Sequence, residues 1–423
     1  MHHLPKASWH WSLVLALALA VVIGWNYWLP MAKDFYNLVT PPNENRPYGL
    51  RNVDFFAYYN AGSRFENGAN PYFYGDPALR KFSEYLYPPT MLPLYGLISN
   101  LEYDQARLLW LGLYLTGYIL CFAVLLLVVK QDVRSIYFAC GLVLTTVSFP
   151  LLMHIHLGQS DVLVISMVLI GYVAYIKGFK TGSAFLFALA AMTKVNPVLF
   201  LIYFVIFLKD FRFLLAFCLW AVGMVLVSLL SVPFGLYADY IFRVLPEIGK
   251  GTSFWVNQSI VKYVPLSQGS LAQAISLGGF VMFGLFVLWL SKRYPSSKRM
   301  PGKTLGEKHN ISENVFILNI LIILVFSGKV WSMAYVWMIL PTALLLTRLV
   351  KSHPKTWYLV LNCLAAFLVV SKIYGYPILD SLNLWGSLIL FTLIVIGLIK
   401  EEWAFDETPN NPSPLLPDRA SED

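Results

Sequence analysis

Charge is what this chain has least of. Asp, Glu, Lys and Arg together make up 13% of its 423 residues, about half the share found in an ordinary soluble domain. A soluble protein of this length needs a polar skin that this composition does not supply. Two or three water-soluble domains are therefore excluded. Cysteine is sparse as well. Cys121, Cys140, Cys218 and Cys363 each lie inside an apolar run and share no motif spacing. That argues against a disulfide framework and a cysteine metal cluster, and reads them as packing residues. No internal repeat is visible, which argues against the duplicated halves of many transporters.

What the chain has in excess is apolar surface: 58% of it is hydrophobic, and its mean hydropathy is +0.62. Apolar runs recur at about the 18 residues or more that a membrane span needs. The first is Trp9 to Met31, flanked by His2, His3 and Lys6. It is too long for a removable signal peptide and lacks a small-residue cleavage site. Residues 32–105 form a mixed segment rich in Tyr, Pro, Asn and Gly. Later runs read 106–129, 135–152, 161–176, 182–193, 196–208, 213–232, 269–291, 314–327, 334–348, 356–371 and 384–399. The expectation is an all-α integral membrane protein of about twelve transmembrane helices with a long first extracytoplasmic loop. The pair 182–193 and 196–208 reads as a bent hairpin that only partly crosses.

The formal charge of +8 could suggest nucleic acid, but its placement in alternate turns explains it better, and no nucleic-acid partner is expected. With the N-terminus inside, the cytoplasmic turns hold Lys130 and Arg134, Lys177 and Lys180, and Lys209 and Arg212. They also hold the cluster from Lys292 to Lys308, then Arg348, Lys351 and Lys355. This is the positive-inside pattern. Residues 1–400 then form one polytopic domain of a plasma or inner membrane. It has a first outer loop 32–105, an outer loop 233–268 and a basic cytoplasmic loop 292–313 that can touch anionic lipid heads. The acidic, Pro- and Asn-rich tail 401–423 is expected to be disordered and cytoplasmic, like the N-terminus.

This topology gathers the chemically interesting residues on the outer side. In Arg51-Asn52-Val53-Asp54-Phe55-Phe56-Ala57-Tyr58-Tyr59-Asn60 one acid stands among apolar and aromatic neighbours. If Asn52 caps a helix running through Arg64, Asp54 falls in the first turn, where the helix dipole favours it. The same helix places Asp54, Tyr58 and Ala61 on one face, an aromatic platform with one acid that suits a sugar cleft. Turns follow at Asn70-Pro71-Tyr72 and Tyr85-Leu86-Tyr87-Pro88-Pro89, where an aromatic belt at the interface is the plainer reading. His154, His156 and Asp161 flank a predicted span end; metal ligation is conceivable, and hydrogen bonding to substrate or lipid headgroup fits better. Lys194 ends an apolar run just before Asn196-Pro197 and needs a partner. It either snorkels to the interface or binds a lipid phosphate. Asn257-Gln258-Ser259 matches a glycosylation sequon and also offers amides for hydroxyl recognition.

The acid in the first outer loop, the Asn-Pro-Tyr turn, the Tyr-Pro-Pro turn, Gly158-Gln159, Lys194-x-x-Pro197 and Asn257-Gln258-Ser259 occur here in order. Together they resemble glycosyltransferase family 87, membrane enzymes of the GT-C type similar to polyprenyl-phosphate-mannose-dependent α-mannosyltransferases, over roughly residues 50–345. The resemblance implies a GT-C-like bundle and a polyprenyl-phosphate sugar donor. It also implies an outer-face glycolipid, glycan or protein acceptor, and inversion at the sugar carbon. The family's catalytic base, an Asp of the first outer loop, falls on Asp54. Two departures are visible. The family often carries Asn where Asp161 stands. Its later turn often reads Ser-Pro-x-Ser-Trp followed by an acid and His, where this chain has Ser327-Gly328-Lys329-Val330-Trp331 and no histidine.

On this reading Asp54 is the general base for transfer of a hexose, mannose being the family's commonest association. Lys194, with Arg243, Lys250 or Lys329, stabilises the departing phosphate. Tyr58, Tyr72, Tyr87, His156, Gln159, Asn196, Asn257, Gln258 and Trp331 line the substrate. Neither metal nor other cofactor is required. A lipid-linked sugar flippase or transporter, and a non-catalytic membrane assembly subunit, are the alternatives.

Overall fold

The structure is a computed structural model that describes residues 53–72, 84–129, 148–251, 257–294, 305–338, 341–342, 356–371 and 379–400. The first apolar run Trp9–Met31, residue Asn52, most of the run 135–152 and the tail 401–423 lie outside the described residues. Every regular element among the described residues is a helix. In chain order they are α1 Val53–Glu66, α2 Leu92–Ser99, α3 Tyr103–Val129, α4 Phe149–Leu157, α5 Asp161–Ile176, α6 Lys180–Thr193 and α7 Phe211–Ser228. Next come the short α8 Phe234–Asp239 and α9 Leu245–Gly249, then α10 Gly269–Arg293, α11 Leu305–Phe326, α12 Thr356–Val370 and α13 Leu382–Lys400.

Three of these are long and apolar enough to cross a membrane unbroken: α7, α10 and α13, the last over Leu382–Ile399. Helices α4 and α5 reach the same length and apolarity only together, as a broken span or a re-entrant loop, and turn on each other by 119° at the break between them. The described residues therefore do not establish the expected count of about twelve spans. In α7 and α10 only 17% and 28% of the spanning window is buried, although both are apolar throughout. Leu219, Leu226, Leu277 and Met282 point away from the protein, as side chains facing lipid do. Helix α11 is the opposite case: Phe316, Ile317, Leu318, Ile320 and Leu321 are all buried, so it is apolar all round because protein surrounds it.

The break between α4 and α5 has a local cause. Ser148 caps α4 by accepting the Leu151 N–H at 3.3 Å, and Pro150 sits in the first turn, where its missing donor costs nothing. Gly158 ends α4 in the left-handed region at φ 76°. Helices α5 and α6 then form an antiparallel hairpin through the turn at Gly178, itself at φ 89°. Close packing at Gly171 and the Ser183 Oγ–H donated to the Gly171 carbonyl at 2.7 Å hold the pair together. The expected bent hairpin over 182–193 and 196–208 appears as α6 followed by a 3-10 turn, Asn196–Phe200, and a π-helical segment, Ile202–Phe207.

The described residues ahead of α3 contain two helices that pack on each other. Helix α1 starts one residue after Asn52, so Asp54 falls in its first turn and Arg64 in its last, both matched to the dipole. Helix α2 crosses α1 at Gly62, where a Cβ would stand 2.1 Å from the Tyr95 carbonyl oxygen. The resulting cluster of Phe55, Tyr58, Tyr85, Tyr95, Trp110 and Tyr114 is a second core, separate from that built around α5, α6 and α11.

Candidate active site

Helix α1 is seated directly on the break between α4 and α5. A Cβ at Gly158 would meet the Phe55 Cβ at 2.6 Å, so glycine is required there by its backbone angle and by this contact. Trp110 fixes the same point from α3, its indole N–H donating to the Gly158 carbonyl at 2.9 Å. The contact lays the first turn of α1 on the break and brings Tyr58, one turn on from Asp54, to Gln159 and Ser160.

Asp54 is buried, with 7% of its surface exposed. Its charge acts on the hydroxyls of both Tyr58 and Tyr87. Those hydroxyls lie 2.9 Å apart, and the Gln159 carbonyl oxygen is in reach of both, at 3.1 Å from Tyr58 and 3.2 Å from Tyr87. Ser160 Oγ, 3.2 Å away, offers the Tyr58 proton a further acceptor. Burial, then neighbouring negative charge, holds both phenols well above their ordinary range, so they stay protonated donors.

Tyr87 joins this group to a buried ion pair. The Lys194 ammonium lies 5.8 Å from the centre of the Tyr87 ring, within reach of a cation–π attraction. It also lies 2.8 Å from both oxygens of Asp161. The Trp337 indole N–H donates to Asp161 Oδ1 at 3.0 Å. The Asp161 side chain is 2% exposed and that of Lys194 17%. This is the partner that a lysine at the dry end of a span requires. Asp161 stands in the first turn of α5, at the helix end whose dipole favours an acid. His154 packs edge-on against Tyr114 and accepts the Val162 N–H on Nε2 at 3.0 Å. With Asp161 held by Lys194 and Trp337, the pattern read as a conceivable metal site is used for hydrogen bonds across the helix break.

The other expected residues are placed as follows. Tyr72 donates its hydroxyl to the Tyr87 carbonyl at 2.8 Å, which ties the Asn-Pro-Tyr turn to the Tyr-Pro-Pro turn. Asn70 closes its own turn on the Tyr72 N–H and donates to Asp239 at 3.0 Å; Arg243 meets the other oxygen of Asp239 at 3.5 Å. Lys250 is bonded to Glu247. Lys329 is half-buried, and burial pushes its ammonium below the usual lysine range, although Glu84 and Glu247 pull the other way. Arg243, Lys250 and Lys329 thus each have acids as neighbours. His156 and Asn196 are both half-buried, His156 in the last turn of α4 and Asn196 at the start of the 3-10 turn after Lys194.

Asn257, Gln258 and Ser259 are wholly buried and act as a clamp. The Asn257 amide donates to the Gly328 carbonyl at 3.1 Å and accepts the Val330 N–H at 3.0 Å. Asn257 pairs with Trp331 in an antiparallel bridge. The Gln258 amide donates to the Asp380 carbonyl at 2.7 Å. The sequon nitrogen and the amides expected to meet a hydroxyl are therefore engaged within the protein. Sequence reasoning missed Trp337 and the Asp161–Lys194 pairing; one signal for the pairing was that a lysine in apolar surroundings needs an acid.

A buried acid, a buried lysine and two tyrosines of a helical protein with apolar spanning helices thus come together around the break between α4 and α5. The family model of glycosyltransferase family 87 matches residues 85–306, more than half of the chain, and the chain belongs to that family. The matched stretch contains Tyr87, Gln159, Asp161 and Lys194; Asp54 precedes it and Trp337 follows it. A search of curated proteins returned no match.

Proposed function

We propose that this membrane glycosyltransferase moves a hexose, such as mannose, from a polyprenyl-phosphate sugar to a hydroxyl of an acceptor at the outer face, with inversion. Asp54 is the general base. The acceptor oxygen attacks the anomeric carbon while its proton passes to the Asp54 carboxylate. The bond from that carbon to the phosphate oxygen breaks, and its electron pair leaves with the lipid phosphate. The charge developing on that phosphate is met by an ammonium N–H of Lys194. Tyr58 and Tyr87, kept as donors, and the Gln159 amide orient the sugar between the two. Charge balance is complete without a metal, since one base gains the proton and one cation faces the leaving group.

The observation that carries the reading is the meeting at Tyr87. The buried acid of α1 acts on its hydroxyl, and the buried lysine after α6 lies near its ring. A purely structural acid at a helix start would not need to be set beside the other end of a membrane hairpin. The test is transfer from labelled polyprenyl-phosphate mannose to membrane acceptors in reconstituted vesicles, wild type beside Asp54→Asn. The variant is expected to fold normally and to lose about 10²–10⁴-fold in rate. Transfer at the wild-type rate by Asp54→Asn would remove Asp54 as the base.

A further inference from the structure

We infer that Asp161 is a positioning residue that makes Lys194 distinguish a lipid phosphodiester from a lipid phosphate monoester, favouring donor over spent product. The inference rests on the lipid-phosphate donor proposed above. An ammonium group has three N–H donors and no acceptor. The Asp161 oxygens, both 2.8 Å from Lys194 Nζ, belong to one carboxylate and lie on the same side of the ammonium, so the N–H on the far side is left for an incoming oxygen. The pair is also neutral as a unit. Trp337 bonds Asp161 Oδ1, and burial of the carboxylate at 2% exposure leaves it no route to swing aside.

The charge arithmetic of the reaction then matters. The donor's phosphate is a diester and carries one negative charge. When the sugar leaves, that phosphate becomes a monoester whose second proton has a pKa of about 6, so near neutral pH it carries close to two. A lone buried lysine would hold the second species more tightly and trap the product. A lysine already matched by a fixed carboxylate offers one hydrogen bond to the monoanion and sets a like charge against the dianion. Asp161 thereby assists product departure without touching the sugar.

The experiment uses the full-length protein in detergent at pH 8. It measures direct binding of two probes, a short polyprenyl monophosphate and its methyl phosphodiester. Wild type is expected to bind the diester more tightly. Asp161→Asn keeps an oxygen for the Trp337 indole and removes the charge. It is expected to tighten monoester binding on the order of tenfold, about 1.4 kcal/mol, and to shift diester binding by less than about threefold. Equal shifts for both probes, or no shift, would overturn the inference and leave Asp161 with a structural role only. Should Asp161→Asn fail to fold because Lys194 is left unmatched, the pair Asp161→Asn with Lys194→Gln removes both charges. A preference for the diester that survives in that pair overturns the inference, and loss of the preference supports it. Wild type that binds neither probe overturns the donor reading itself, whereas wild type that binds both equally overturns only the discrimination.

Discussion

The α5–α6 hairpin carries the same device at each end. At one end Lys194 meets Asp161 and lies 5.8 Å from the Tyr87 ring; at the other Lys180 meets Asp210 and lies 5.2 Å from the Tyr175 ring. Each acid serves a helix N-terminus: Asp161 stands in the first turn of α5, and Asp210 caps α7 by accepting the Phe213 N–H at 3.0 Å. The difference is how far each lysine is exposed. The Lys180 side chain is 53% exposed and that of Lys194 17%. Tyr175 gives its hydroxyl to Asp210 at 2.8 Å, whereas the Tyr87 hydroxyl turns away towards Gln159 and the field of Asp54. One set of residue types is thus a buried cap with an exposed lysine that fastens α7. The other is a dry pair with its aromatic partner shared by a second acid. Burial and the direction of one hydroxyl separate the fastening from the candidate chemistry.

The largest effect should come from removing the cation at each end. Lys194→Met strands a buried carboxylate, and breaking such a pair costs about 3–5 kcal/mol. Lys180→Met leaves Asp210 its bonds from Tyr175 and Phe213 and removes an exposed partner, worth about 0–1 kcal/mol. Unfolding midpoints in detergent measure both. Equal losses at the two ends would break the comparison.

A matched pair of glycines sharpens it. Gly158 and Gly178 stand at either end of α5, both at positive φ. A Cβ at Gly178 meets nothing within 4 Å, while one at Gly158 drives into Phe55. Gly178→Ala should therefore cost only its backbone strain, about 1–2 kcal/mol. Gly158→Ala should cost more and, by lifting α1 off the helix break, also move Asp54 and lower transfer. Thermal unfolding and the transfer assay together test this; a Gly158→Ala protein with full transfer would mean that α1 is not held by that contact.

Much of the fold was legible where one helix decides its own boundary. The run 161–176 was read to the residue because Asp161 opens it and a lysine turn closes it. The runs at 213 and 269 fell within a few residues of α7 and α10. Asp54 in a first turn followed from reading Asn52 as the residue ahead of a helix. What was not legible depends on pairs distant in sequence. Asn257 finds Gly328 and Val330 only after α10 and α11 have folded back, so its triplet looked like a free polar loop. Lys194 and Asp161 are 33 residues apart. Hairpin arithmetic could have joined them, since α5 and α6 have similar lengths, about 24 and 21 Å at 1.5 Å per residue. The start of one helix must then lie beside the end of the other. Trp337 lies in a 3-10 segment whose residues are all buried, and no periodicity marks which of them turns inward to an acid.

The smallest effect belongs to the end with the exposed lysine and depends on pH. Burial raises the Asp210 carboxyl, but the bonds from Lys180, Tyr175 and the Phe213 N–H outweigh it and hold the group below the usual aspartate range. Its folded value is therefore lower than its unfolded value of about 3.9. Between the two the unfolded chain binds more protons, so stability rises with pH there. The contribution is complete at neutral pH and is lost as acid carries the solution through the folded value. Asp210→Asn should be less stable than wild type at pH 7 and should narrow that gap below about pH 4, where wild type gives up the same interaction. The slope contributed by one carboxyl is at most about 1.4 kcal/mol per pH unit, which a series of unfolding curves from pH 7 to 3 resolves. A gap that stays constant over that range would show that Asp210 fastens α7 through shape rather than charge. The two ends of the hairpin would then differ in kind as well as in exposure.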